Sequence, residues 1–222
     1  MFISKHIVMP AILFGIMVLL SAYVIVTSNR EHGALQPAKI ESPNDSCCIP
    51  PPVTDVRGEL SVYQDSSLWT DQNGKVKVLA SFSGKVVILS MFYSHCAISC
   101  PLIINDMKKV EQKISTGNRA KVVFVLVTID PSRDTPSVLR ALSKKQNLDI
   151  NRWSLLVGNE DAVQTLAGLL GVSFIKKENG DFDHSNQITI LNRNGEISYK
   201  HFGAGSSVDD IVAAVDSISV GL

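Results

Sequence analysis

Four cysteines occur in the 222-residue chain, and two of them, Cys96 and Cys100, are where chemistry concentrates. Cys96-Ala97-Ile98-Ser99-Cys100 sets two sulfurs four positions apart. In a helical turn that spacing puts both on one face, within reach of a single ion. Soft thiolates select copper(I), zinc or iron–sulfur clusters. A helix N-terminus lowers a thiol pKa, which supplies the thiolate needed for either metal binding or disulfide exchange. The same pair could close a disulfide, its separation falling in the upper part of the allowed Cα range of about 4.4–6.8 Å. Both chemistries stay open on the cysteines alone. A zinc finger needs a second Cys or His pair, which this chain lacks.

The elements around the pair say how it is positioned. Lys85 to Phe92 is a continuous apolar run, the pattern of a strand buried on both faces. The cysteines follow it, and Pro101 suits the first turn of a helix that carries Ile103, Met107, Val110 and Ile114 on one face. Val122 to Ile129 reads as a second buried strand. Thr135-Pro136 opens a helix running to about Gln146. Trp153 to Val157 is a short strand, and Asn159 caps a helix that Gly171 stops. Val172 to Ile175 reads as a further short strand. Gln187 to Leu191 and Glu196 to Phe202 flank Asn192-Arg193-Asn194-Gly195, a hairpin signal. A last helix begins near Ser206 or Ser207, with Asp209 and Asp210 in its first turn. This order is that of an α/β thioredoxin-like fold, a central mixed sheet flanked by helices, with the cysteines between the first core strand and its helix.

In such a sheet the strand starting near Gln187 runs antiparallel to the one ending near Phe92, so it begins at the edge that carries Cys96. His184, three residues earlier, then faces the cysteine pair. Two thiolates and one imidazole would make a trigonal copper site. Without the cysteines, His184 would read as an exposed loop histidine.

Four stretches together resemble the SCO/SenC family: Phe92-Tyr93-Ser94-His95-Cys96 with Cys100-Pro101, Thr128-Ile129-Asp130-Pro131-Ser132-Arg133-Asp134-Thr135-Pro136, Asp183-His184-Ser185, and Ser61-Val62-Tyr63-Gln64 at the entry into the domain. The resemblance runs from about residue 55 to the end. It implies a thioredoxin-like fold and copper bound by Cys96, Cys100 and His184, as copper(I) with copper(II) as a second state. It also implies a role in maturing the dinuclear copper centre of cytochrome c oxidase. Many family members carry Pro-Asp after the first cysteine where this chain has Ala97-Ile98, so the loop lacks an acidic residue.

Upstream, the twenty residues from Ile7 to Val26 contain no charge. At ~1.5 Å per residue they would cross a hydrocarbon core of about 30 Å. The expected organisation is a single-pass membrane anchor over 1–28, a proline-punctuated tether over 29–56 and the folded domain over 57–222. The domain would lie on the exported side, a periplasm-like space or an intermembrane space. A cleaved signal peptide is the competing reading; its apolar region is usually shorter and ends in a small-residue site, of which Val26-Thr27-Ser28 is a poor version. Lys plus Arg equals Asp plus Glu at 21 each, which leaves no electrostatic footprint for nucleic acid.

Two functions remain. A copper chaperone would hand its ion to an oxidase subunit, and it needs His184. A thiol–disulfide oxidoreductase would reduce the oxidase cysteines, and it needs only Cys96 and Cys100 as a redox pair. The expected partners are the oxidase subunit with the dinuclear copper site and another copper carrier or a thiol reductant. Thioredoxin-type reductases place two residues between their cysteines where this chain has three, which leans toward metal. A peroxiredoxin would leave the second cysteine and His184 unexplained. Cys47 and Cys48 read as bystander thiols of the tether, His95 as a rim residue, and Trp69 and Trp153 as core. Asp130, Arg133 and Asp134 read as a turn held by caps and an ion pair, with partner docking as the other option. Asp181 and Asp183 make the loop before His184 acidic.

Overall fold

The computed structural model describes residues 61–219. Ile7–Val26, the tether, Cys47 and Cys48 lie outside them. Among the described residues no helix is long and apolar enough to cross a membrane.

Strand β3 (Val86–Phe92) is buried at every position. That follows from its place inside the sheet, between β4 (Val122–Thr128) and β8 (Gln187–Leu191), with both faces covered. It pairs in parallel with β4, with Phe92 opposite Thr128, and antiparallel with β8, with Ser90 opposite Ile188. The C-terminal end of β3 and the N-terminal end of β8 therefore share one edge of the sheet. The remaining strands are β1 (Trp69–Asp71), β2 (Val76–Lys77), β5 (Trp153–Val157) and β9 (Ile197–Phe202), completing a seven-stranded mixed sheet in the order β2-β1-β5-β4-β3-β8-β9.

The helices begin and end where local chemistry dictates. Helix α1 (Ser99–Lys113) starts with Pro101 inside its first turn and buries Ile103, Met107 and Val110. Helix α2 (Pro136–Lys145) has Thr135 as its cap, the hydroxyl accepting from the Val138 N–H at 3.4 Å. Helix α3 (Glu160–Leu170) is capped by Asn159, which accepts from the Ala162 N–H at 2.8 Å, and ends on Gly171 at φ 69°. Helix α4 (Asp209–Ser219) packs on α1, on β3 and on β9. Trp69 and Trp153 are both fully buried, and Trp153 stacks on Phe124 with ring centroids 4.6 Å apart. The architecture is the α/β, mixed-sheet arrangement expected from the order of elements.

Two features differ from the sequence reading. Strands β1 and β2, joined through the turn at Asp71–Gly74, add an unanticipated edge next to β5. The segment after Gly171 is also more than one strand. Phe174–Lys176 (β6) turns back and pairs with Phe182–His184 (β7), forming a hairpin separate from the main sheet. Its turn is closed by Lys177 N–H donating to the Asp181 carbonyl at 2.7 Å and Gly180 N–H to the Lys177 carbonyl at 3.0 Å.

Candidate metal centre

Cys96 sits just past β3, and Cys100 lies in the first turn of α1. The helix starts at a residue without a capping side chain, and the Cys96 sulfur fills that role. The Cys100 N–H donates to Cys96 Sγ at 3.3 Å, and Ser99 Oγ lies 3.2 Å from the same sulfur. An orphan N–H of the helix start, that of Cys100, thus points at this sulfur.

Burial would raise the Cys96 thiol, but hydrogen bonds from the Ser99 hydroxyl, the Cys100 and Ile98 N–H groups and the Cys100 thiol outweigh it. They hold Cys96 at about 6, against an ordinary 9.0. Cys100 goes the other way. Burial pushes it well above the ordinary thiol range, and the negative charge of Cys96 adds to the push.

In the metal-free protein Cys96 loses its proton as pH rises through about 6, while Cys100 stays protonated across the neutral range. Iodoacetamide should modify Cys96 with a rate that climbs to a plateau around a midpoint near pH 6, leaving Cys100 unmodified, as read by peptide mass spectrometry. A midpoint near 9, or equal modification of both thiols, would contradict this electrostatic arrangement.

His184 closes the constellation. As the last residue of β7 it pairs with Phe174. Its Nδ1 lies 3.1 Å from the Ser185 carbonyl, and donation there leaves Nε2 with its lone pair free. That Nε2 is 3.7 Å from Cys100 Sγ and 3.4 Å from Ser99 Oγ. The Tyr93 ring packs edge-on to the His184 ring, with centroids 5.7 Å apart. One donor atom from each of Cys96, Cys100 and His184 lies within 4.8 Å of the others. Two sulfurs and an imidazole nitrogen at such separations can converge on one soft ion after small side-chain movements. The fit is supported by the donor chemistry: one thiol deprotonates readily, and the histidine tautomer is set by its second nitrogen.

The other residues singled out in the sequence fall outside the cluster. His95 is half-exposed, with Nδ1 3.0 Å from Ser94 Oγ. Asp183 is exposed and paired with Lys177 at 2.6 Å. Asp130 forms an ion pair with Arg133, as a turn held together locally would. Asp134, however, is fully buried and reaches across to Ser94, accepting from its N–H at 2.9 Å and from its hydroxyl. Ser99, which touches both a cysteine and the histidine, was not anticipated. Its only sequence signal is a hydroxyl between two cysteines, which says nothing about direction.

The SCO1/SenC family model matches residues 61–219, the whole described domain. A SCO2-like protein of Rickettsia felis is 27% identical over 174 residues, covering 72% of this chain and 82% of that protein. The crystal structure of a SCO1/SenC family lipoprotein from Bacillus anthracis superposes with TM-score 0.63 at 26% identity, over 68% of this chain and 92% of the other. The copper-bound ScoI of Arabidopsis thaliana shares the fold with TM-score 0.58 at 21% identity, over 68% and 96% of the two chains.

Proposed function

Because the chain belongs to the SCO1/SenC family, we propose that it binds one copper ion through Cys96, Cys100 and His184 and delivers it during assembly of the dinuclear copper centre of cytochrome c oxidase. The observation that carries this reading is the convergence of two thiols and an imidazole from separate elements. A dithiol reductase has no use for the imidazole. Copper(I) accepts few, soft ligands, which favours it over zinc at a site with three donors. The chain is held at a membrane through Ile7–Val26, with the domain on the exported side. The uncharged stretch supports this; the lipoprotein character of the Bacillus anthracis relative supports membrane association.

A second reading draws on the contrast between the thiols. Cys96, half-buried and readily ionised, is suited to attack a disulfide on the oxidase subunit, releasing one of its cysteines as thiolate. Cys100, buried beside it, would then attack the Cys96 sulfur, its proton passing to the departing thiolate, which releases the second cysteine and leaves a Cys96–Cys100 disulfide. Two electrons pass to the subunit, and a thiol reductant must restore the pair.

Anaerobic titration of the full chain with copper(I), in competition with a chromophoric chelator, tests the first reading. The expected result is one ion per chain, with sulfur-to-copper charge-transfer absorption. Failure to compete at any ratio, with disulfide exchange intact, would leave the second reading standing.

A further inference from the structure

The hairpin that carries His184 shares no ladder with the seven-stranded sheet. Beyond its covalent join to β8 through Ser185 and Asn186, its distance from the cysteines is set by side chains, among them Phe182, whose ring packs on Tyr93 with centroids 5.2 Å apart. At its tip, Arg133 Nη2 donates to the Gly180 carbonyl. The same guanidinium donates through Nε to Asp130, a carboxylate that is 1% exposed and also accepts from Ser132 Oγ at 2.8 Å. The Asp130 N–H is fixed by Thr128 Oγ1 at 3.0 Å, on the last residue of β4. A continuous chain of hydrogen bonds thus runs from the centre of the sheet to the hairpin tip.

Asp134, four residues on, does the equivalent for the other arm. One carboxylate oxygen accepts from Thr128 Oγ1 at 2.5 Å and from the Ser94 N–H, two residues before Cys96. The five-residue segment from Asp130 to Asp134 therefore grips both donor-bearing arms, the cysteine loop through Asp134 and the histidine hairpin through Arg133.

Resting on the copper reading above, we propose that Arg133 is a positioning residue of the His184 arm, acting at its tip, with Asp130 as the fixed post that orients it. Arginine is needed because a planar guanidinium can donate to a carboxylate and a carbonyl at once, whereas an ammonium on a flexible stem cannot hold that geometry. Residues that orient a metal ligand from outside typically alter affinity by about 10–100-fold when replaced.

The test uses the full chain with two variants. Arg133→Lys keeps a cation beside Asp130. Asp130→Asn with Arg133→Met removes both partners, so that no buried charge is stranded. In both, copper(I) affinity should fall about tenfold, and the histidine nitrogen hyperfine signature of the copper(II) form should weaken or become heterogeneous. Alkylation of Cys96 should keep its wild-type rate and pH midpoint, because the cysteine arm is gripped separately. Amide hydrogen exchange in the metal-free chain should speed up across 174–184 and nowhere in β3 or α1. Wild-type exchange across the hairpin in both variants, or unchanged affinity and nitrogen signature, would overturn the assignment of Arg133. A wild-type chain that takes up no copper would instead overturn the copper reading, and hydrogen exchange would still decide whether Arg133 holds the arm.

Discussion

Replacing Cys100 by alanine should abolish competitive copper binding while leaving the domain folded. Cys100 is 2% exposed, and its sulfur lies between the helix start and the imidazole. Its loss leaves only Cys96 and His184 as donors. Structural zinc sites bind with roughly 10–16 kcal/mol, which spread over three or four donors assigns a few kcal/mol to each. At 1.4 kcal/mol per tenfold, a drop of more than about a hundredfold is expected. The fold should tolerate the change. Removing one buried heavy atom costs about 1 kcal/mol, within a typical stability of about 5–15 kcal/mol. Chelator competition together with circular dichroism measures both quantities. A variant that stays folded and binds within tenfold of wild type would mean that Cys100 is no ligand.

His184→Ala separates the two functional readings. Nε2 of His184 is the one nitrogen in the cluster of donor atoms, and it comes from an arm that the dithiol does not need. Copper(I) affinity should fall by about 10–100-fold or more, while reduction of a model disulfide by Cys96 and Cys100 proceeds at the wild-type rate. In cells, a variant that still reduces disulfides but fails to support assembly of the oxidase copper centre would establish delivery of the ion. Normal assembly with this variant would shift the function to thiol exchange. Cys96→Ser, by contrast, should eliminate both activities, because it removes the nucleophile and a donor together.

The parts of the fold that could be read from the residues were those where one local signal dominates. β3 and β4 are apolar without interruption, Thr135-Pro136 and Asn159 with Gly171 are terminus chemistry, and Asn192 to Gly195 is a turn that little else would use. Trp69-Thr70-Asp71 gave no such signal, being three residues of mixed character whose strand identity comes from pairing with β5. β7 was hidden for a similar reason. Phe182-Asp183-His184 becomes a strand because the chain before it folds back, with Lys177 to Gly180 as the turn. The approach of His184 to the cysteines could be reasoned from strand direction alone. The supports could not. Asp134 meets Ser94 and Arg133 meets Gly180 across 40 and 47 residues, and contacts of that range leave no periodicity to read.

The separateness of the β6–β7 hairpin bears on how a cargo would be unloaded. Since no rung of the central sheet depends on it, the arm could let go of an ion by giving up polar contacts and the packing of Phe182 on Tyr93, with every ladder of the central sheet left intact. A thiol of the receiving protein could then enter the vacated coordination position while both sulfurs still hold on. Hand-over would pass through successive exchanges of single bonds, and a naked cation would never enter the solvent.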